Sequence, residues 1–190
     1  FKKTKNILFG SIEKQDLDII FNALKDNLFI DNNIKLIFVP HEPSEKLIFQ
    51  IEEKLKELKI KNSRFSIIEH ADRNVDALIV DTVGVLADIY KYSSISYIGC
   101  GFSKGVHNVI EPAIYGNTIC FGPNYKILNE AIEMVDNNLA YSINNSADLL
   151  NVLKFINQKD KLEGHSIQLK EYLETKSDTS SQIIDEILCD

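Results

Sequence analysis

The sequence is short of several things, and each absence removes a function class. No apolar run approaches the roughly 20 residues needed to cross a bilayer; Ile7 to Gly10 and Leu36 to Val39 are typical of the longest. Arginine is scarce: Arg64 and Arg73 are the only two among 21 basic residues, and 28 acidic residues leave a formal charge of −7. That balance speaks against a broad electrostatic footprint for nucleic acid, so no nucleic-acid partner is expected. The cysteines, Cys100, Cys120 and Cys189, are odd in number, scattered and without C-x-x-C spacing. They fit unpaired thiols in a reducing cytoplasm rather than a zinc or redox site. G-x-x-x-x-G-K-[ST] does not occur, which excludes a P-loop. Methionine occurs once, at Met134, and the chain opens on Phe1, which predicts an excised domain or a processed product.

What is present is ordinary globular material: 190 residues, 44% hydrophobic and 26% charged. Such a length suits one compact domain and buries roughly 70% of the unfolded surface. Short β-type runs alternate with longer amphipathic stretches, the pattern of a doubly wound α/β domain with a parallel sheet covered on both faces. Strands are predicted at Asn6 to Gly10, Lys35 to Pro40, Arg64 to Ile68, Ala77 to Asp81, Ile95 to Gly99, Thr118 to Gly122 and, at an edge, Ala140 to Ile143. Helices are predicted at Gln15 to Leu28, Ser44 to Lys59, Val83 to Tyr92, Asn108 to Tyr115, Lys126 to Val135 and Ser146 to Asn157, the last with Ser146 as N-cap. Residues 1–158 form this Rossmann-like unit. Residues 159–190 form a helical tail packed on it, expected as two polar helices, Glu163 to Thr175 and Ser180 to Leu188.

Sheets of this kind bind ligands at the carboxyl ends of their strands, near the topological switch point. Five polar or glycine-bearing segments follow predicted strands: Gly10-Ser11, Pro40-His41-Glu42, Asp81-Thr82-Val83-Gly84, Gly99 to Ala113, and Gly122-Pro123-Asn124-Tyr125. The fourth is the longest. Gly99, Gly101 and Gly105 permit close backbone approach to a ligand, and the segment runs into a helix whose free N–H groups favour an anion. Glu111 lies about one turn into that helix, on the face shared by His107 and Asn108. A carboxylate there suits two adjacent ribose hydroxyls, while glycine amides and Lys104 suit a phosphate.

Plainer readings stand beside these. Turns need glycine regardless of ligands, and the spacing here is G-x-G-x-x-x-G, without the acidic residue of the dinucleotide fingerprint. His107 and Glu111 at i, i+4 make half a metal site, with no second ligand cluster nearby in sequence and no partner evident for His70. A Cys100 and His107 nucleophile pair has no further support. His41 is equally readable as a polar loop residue. Ser11 can cap the following helix as readily as it can meet a phosphate, and Asp81 is read first as a helix cap. Tyr90 and Tyr92 are expected to pack on the sheet. What raises the functional reading is that all five segments fall on one edge.

At Gly101 to Ala113, with His107-Asn108 followed by Glu111-Pro112-Ala113, and then Gly122-Pro123, the sequence resembles the C-terminal domain of the Kdo (3-deoxy-D-manno-oct-2-ulosonic acid) transferases. That family has a GGHN-x-x-EPA stretch, a GP motif about ten residues later and an upstream D-T/N-x-G-x-L segment, here Asp81 to Leu86. The likeness runs from Asn6 to Leu153. Val106 stands where many members have glycine, Val85 where many have glutamate, and no arginine intervenes between Pro40 and His41. The resemblance implies the donor-binding half of a GT-B glycosyltransferase, with no metal and no cofactor. Gly10, Ser11 and His41 would lie near the donor phosphate or sugar of CMP-Kdo, Gly101, Lys104, Gly105, His107 and Asn108 around the donor, and Glu111 on the ribose. The catalytic base, the lipid A precursor acceptor site and the membrane association would belong to a missing N-terminal half, placing the parent at the cytoplasmic face of the bacterial inner membrane. The rivals are a UDP-sugar GT-B transferase or sugar-nucleotide epimerase, and a non-catalytic α/β interaction module.

Overall fold

The computed structural model describes residues 5–26, 34–67 and 75–188, with the backbone alone for 177–188. Seven strands, all parallel, form one sheet in the order β3-β4-β2-β1-β5-β6-β7. They are β1 (Asn6–Ile12), β2 (Lys35–Pro40), β3 (Asn62–Arg64), β4 (Ala77–Ile79), β5 (Ile95–Ile98), β6 (Thr118–Phe121) and β7 (Ala140–Ser142). The helices are α1 (Lys14–Ala23), α2 (Glu45–Glu57), α3 (Leu86–Ile89), α4 (Ile110–Ile114), α5 (Asn129–Asp136), α6 (Ser146–Leu153) and α7 (Lys159–Leu188). The predicted doubly wound architecture is therefore present. The strand order reverses between β1 and β5, which fixes the switch point.

The central strands are apolar on both faces, as a covered parallel sheet requires. Ile7 and Phe9 of β1 point with Leu36 and Phe38 of β2 into a core closed by α1, α2 and α6. Phe38 stacks on Phe9 at 5.0 Å and on Phe21 of α1 at 5.6 Å. Leu8, Ile37 and Val39 point the other way, with Ile98, Phe121, Val109, Met134 and Leu169, into a second core. The predicted apolar face of α2 is found: Ile48, Ile51 and Leu55 are buried, and Leu47 and Leu58 pack partly against them. Ser44 caps that helix, accepting from the Leu47 amide. Of the α1 face, Leu17, Ile20, Phe21 and Leu24 are buried; Leu28 lies outside the described residues.

Several boundaries differ, each for a local reason. The N-cap of α6 is Asn145, not Ser146, because the Asn145 side-chain oxygen Oδ1 accepts from the amides of Ala147 and Asp148, both at 2.9 Å. The strand expected from Arg64 is β3 at Asn62–Arg64, followed by a 3-10 turn at Phe65–Ile67; Ile68 and His70 lie outside the described residues. The helix expected from Val83 begins at Leu86, because Gly84 turns the chain at φ +83°. Asp81 does not cap it. Its carboxylate accepts from the Ser66 amide at 2.9 Å and from the Ser66 hydroxyl, and against the upward pull of burial those bonds hold its pKa below the usual value. Tyr90 is 2% exposed, as expected, whereas Tyr92 is 40% exposed.

The tail is one helix rather than two. No proline or glycine occurs between Thr175 and Ser180 to stop it, and the Thr175 hydroxyl bonds back to the Glu171 carbonyl at 2.6 Å, which keeps that polar side chain inside the helical pattern. Its first half is docked: Leu169 is fully buried in the second core, with Tyr172 and Leu173 beside it. His165, 6% exposed, stacks on Tyr141 at 5.4 Å and places Nε2 3.2 Å from the Asn138 carbonyl, while its buried Nδ1 has no partner among the described residues. Burial holds its pKa below 6.5, with Lys161 adding to the effect.

The folded state therefore takes up a proton at His165 less readily than the unfolded chain. Stability contributed by neutral His165 is present above pH about 6.5 and falls as the pH drops below it. Thermal denaturation should show a falling Tm on acidification through that range, and a smaller fall in His165→Gln. Leu169→Ala should cost roughly 2–5 kcal/mol in denaturant unfolding, the usual range for emptying such a core position.

Candidate nucleotide site at the switch point

β1 and β5 run side by side through Gly10 and Ile98, and their ends build the site. After Gly10 the register of β1 shifts, with Ser11 in the left-handed region at φ 50°. This extra residue re-aims the strand end. Beyond it, the N-terminus of α1 carries a capping box, in which the Glu13 side chain meets the backbone three residues on and the Asp16 carboxylate accepts from the Glu13 amide at 2.7 Å. Glu13, not Ser11, is thus the N-cap.

Asp16 is fully buried, and desolvation pushes its pKa up. It accepts two further hydrogen bonds, from the Tyr97 hydroxyl at 2.6 Å and from the Cys100 amide at 3.2 Å. One carboxylate thereby joins α1, β5 and the glycine loop. The loop then has little freedom. Cys100 sits at φ 64° with its thiol 3.3 Å from the Ser11 carbonyl. A Cβ on Gly99 would overlap the Ser11 carbonyl oxygen and lie 2.6 Å from the Ile12 Cα.

Two adjoining cavities open at this edge. One, of about 210 Å³, is lined by Ser11, Leu86, Tyr90, Ile98, Gly99, His107, Asn108 and Glu111. The other, of about 420 Å³, has Glu13, His41, Ser44, Lys46, Ser103 and Lys104 among its walls. The stacked rings of His41 and His107, 5.9 Å apart, form the partition between them. Lys104 lies 3.5 Å from Glu13, whose carboxylate also accepts from the Ser103 hydroxyl. The Ser103 bond and Lys104 hold the Glu13 pKa down.

Six of the nine sequence-derived candidates are thus brought together: Ser11, His107, Asn108 and Glu111 around the smaller cavity, His41 and Lys104 around the larger. Three glycines stand behind. Gly10 is buried in the sheet, where its missing side chain makes room for Leu86 and Tyr90, both 3.1 Å from a Cβ placed there. Gly101 packs against the Gly122 backbone, a Cβ falling 2.5 Å from its nitrogen. Gly105, at φ +111°, turns under Ile127.

The anion-binding helix end is corrected. α4 spans five residues, and the amides of Ile110 and Glu111 are already taken by the Asn108 side chain, at 2.9 and 3.2 Å. The cation at this edge is instead Lys104, 3.5 Å from Glu13. A Cys100 nucleophile is also disfavoured, since the thiol is buried and desolvation pushes its pKa up to about 12. Glu111 joins no triad of metal-ligating side chains among the described residues.

The chain matches no protein-family model. It is 30% identical over 173 residues to the 3-deoxy-D-manno-octulosonic acid transferase of Aquifex aeolicus, covering 88% of this chain and 47% of that protein. Against the transferase of the same name from Rickettsia typhi it is 31% identical over 192 residues, covering 96% of this chain and 39% of the other. The chain is a homologue of the C-terminal part of the Kdo transferases. It spans less than half the length of these curated relatives. Among solved structures, the C-terminal CMP-Kdo binding domain of WaaA from Acinetobacter baumannii superposes with a TM-score of 0.70 at 19% identity, covering 88% of this chain and 89% of that one. TarM from S. aureus, solved with UDP, superposes at 0.64 with 12% identity, covering 98% of this chain and 35% of that one. The shared fold is the Rossmann-like C-terminal half of a GT-B structure.

In this Kdo transferase homologue, the residues that sequence reasoning passed over are Glu13, Asp16, Ser103, Leu86 and Tyr90. Glu13 and Asp16 carried a signal, the carboxylates spaced three apart at the start of α1. Gly99→Ala should collapse the β1 and β5 junction, because the clash is with backbone that cannot rotate away. We expect a loss of stability of at least about 2 kcal/mol in denaturant unfolding, a large effect for one methyl group. A Tm within a degree or two of the parent would contradict this geometry.

Proposed function

We propose that this chain is the donor-nucleotide half of a Kdo transferase, binding CMP-Kdo for transfer of Kdo to a lipid A precursor in lipopolysaccharide synthesis. The observation that carries the reading is the position of Glu111: its carboxylate lines a small cavity at the switch point together with Ser11, Gly99, His107 and Asn108, inside the HN-x-x-EPA stretch that the family shares. A carboxylate accepts from both hydroxyls of a ribose at once. The walls formed by Gly99 and Ser11 let backbone approach the nucleotide.

The reaction inverts the sugar centre. As the bond from sugar to phosphate breaks, negative charge grows on departing CMP, and groups aimed at that charge lower the barrier. His107 lines the ribose-side cavity, and His41 and Lys104 line its neighbour. A phosphate lodged at the histidine partition would compete with Glu13 for Lys104, exchanging one ion pair for another. The base that deprotonates the acceptor hydroxyl belongs to the other half of the enzyme, as do the acceptor site and attachment to the cytoplasmic face of the inner membrane. No helix among the described residues is long and apolar enough to cross a membrane. Residues 1–158 serve as the nucleotide-binding unit and 159–190 as a tail docked on it.

A second reading follows from the likeness to TarM: a domain of this fold also serves a protein solved with UDP. Calorimetric titration of the chain with CMP and with UDP separates the two. We expect CMP to bind at least tenfold more tightly, and Glu111→Ala to weaken CMP binding by about tenfold or more, the loss of a pair of charge-assisted hydrogen bonds. Preference for UDP would overturn the Kdo assignment. No binding of either nucleotide, or binding indifferent to Glu111→Ala, would favour the non-catalytic module.

A further inference from the structure

At the larger cavity, which Glu13 and His41 line, three metal-ligating side chains meet. A carboxylate oxygen of Glu13, a ring nitrogen of His41 and the thiol sulfur of Cys100 all fall within 4.8 Å of one another. They come from three different strand ends and meet at one point. We propose that Glu13, His41 and Cys100 form a binding site for a thiophilic divalent cation of the zinc class. The site shares His41 with the nucleotide reading but does not rest on it.

The donor set selects the metal. Thiolate and imidazole suit zinc or its neighbours, whereas magnesium and calcium take oxygen ligands almost exclusively. A tetrahedral zinc with bonds of about 2.3 Å to sulfur and about 2.0 Å to nitrogen and oxygen needs its ligand atoms about 3.3–3.5 Å apart. Closing from the present spacing requires movement of roughly 1 Å or a little more. His41 is exposed and free to supply it, and Glu13 lines the same open cavity, which also gives the ion a way in.

The backbone carrying these ligands is tied together, so the cluster is not a chance meeting of mobile side chains. Asp16 holds the amides of both Glu13 and Cys100, at 2.7 and 3.2 Å. The His41 amide donates to the Ile12 carbonyl at 2.9 Å, one residue before Glu13. Such hydrogen-bonded support is what keeps metal ligands oriented. On binding, a bond forms from metal to sulfur, the thiol proton passes to solvent, and Lys104 gives up Glu13 to the ion. The thiol's hydrogen bond to the Ser11 carbonyl is lost in the same step.

The test uses the full chain carrying Cys189→Ser, which removes the remaining thiol outside the described residues, titrated with Zn2+ and with Co2+. Expected are one equivalent bound, release of a proton, and a near-ultraviolet band from thiolate to cobalt. Cys100→Ser should abolish that band and raise the Kd at least tenfold, and His41→Gln should raise the Kd by a similar factor. If Cys100→Ser does not fold, His41→Gln, at an exposed side chain, decides alone. Absence of binding, cobalt binding without the thiolate band, or affinity unchanged by the substitutions would overturn the site. None of these results bears on whether CMP binds.

Discussion

A single buried carboxylate holds the functional edge of this fold in shape. Asp16 sits in α1 with no exposed surface, and its two oxygens accept from the Glu13 amide, the Tyr97 hydroxyl and the Cys100 amide. Burying a carboxylate is expensive unless its lone pairs are filled, and here the structure fills them with groups from three elements. Those elements cannot separate without stranding the carboxylate. The close approach of Gly99 to Ser11 depends on this arrangement, as does the left-handed turn at Cys100. Glu13, His107 and Glu111 follow in chain order from the segments that Asp16 locks.

The site built on that frame separates its charges. Glu111 lines the smaller cavity, while Lys104 and Glu13 stand beside the larger one, with two histidine rings between. Because Asn108 already occupies the first amides of α4, a ligand there would meet side chains rather than a free helix end.

Much of the fold was legible because the signals were local. β1 and β2 read as near-continuous apolar runs, and β2 matched its predicted span, Lys35–Pro40. The core face of α2 followed from helical spacing. The candidate site was legible to the extent that polar residues sat just after strands: Ser11, His41, His107 and Glu111 were found that way. What escaped was long-range. The bond from Asp16 to Cys100 joins residues 84 apart, and no periodicity encodes it. The fit of Gly101 against Gly122 is likewise a contact between two loops, so a glycine that reads as a ligand contact proves to be a packing requirement. Caps went astray where neighbouring residues competed, as at Asn145 and Ser146, since either side chain has the chemistry and only backbone direction selects one.

The central claim is that nucleotide binds at the junction of β1 and β5. A third cavity, of about 490 Å³, lies at the opposite end of the sheet, where Lys5, Ser94 and Gly116 precede β1, β5 and β6. Amide chemical shifts of the isotope-labelled chain, followed while CMP is added, distinguish the two ends directly. The account predicts the largest changes at Ser11, Gly99, His107 and Glu111. Changes concentrated at Lys5, Ser94 and Gly116, with the switch-point residues unmoved, would contradict it.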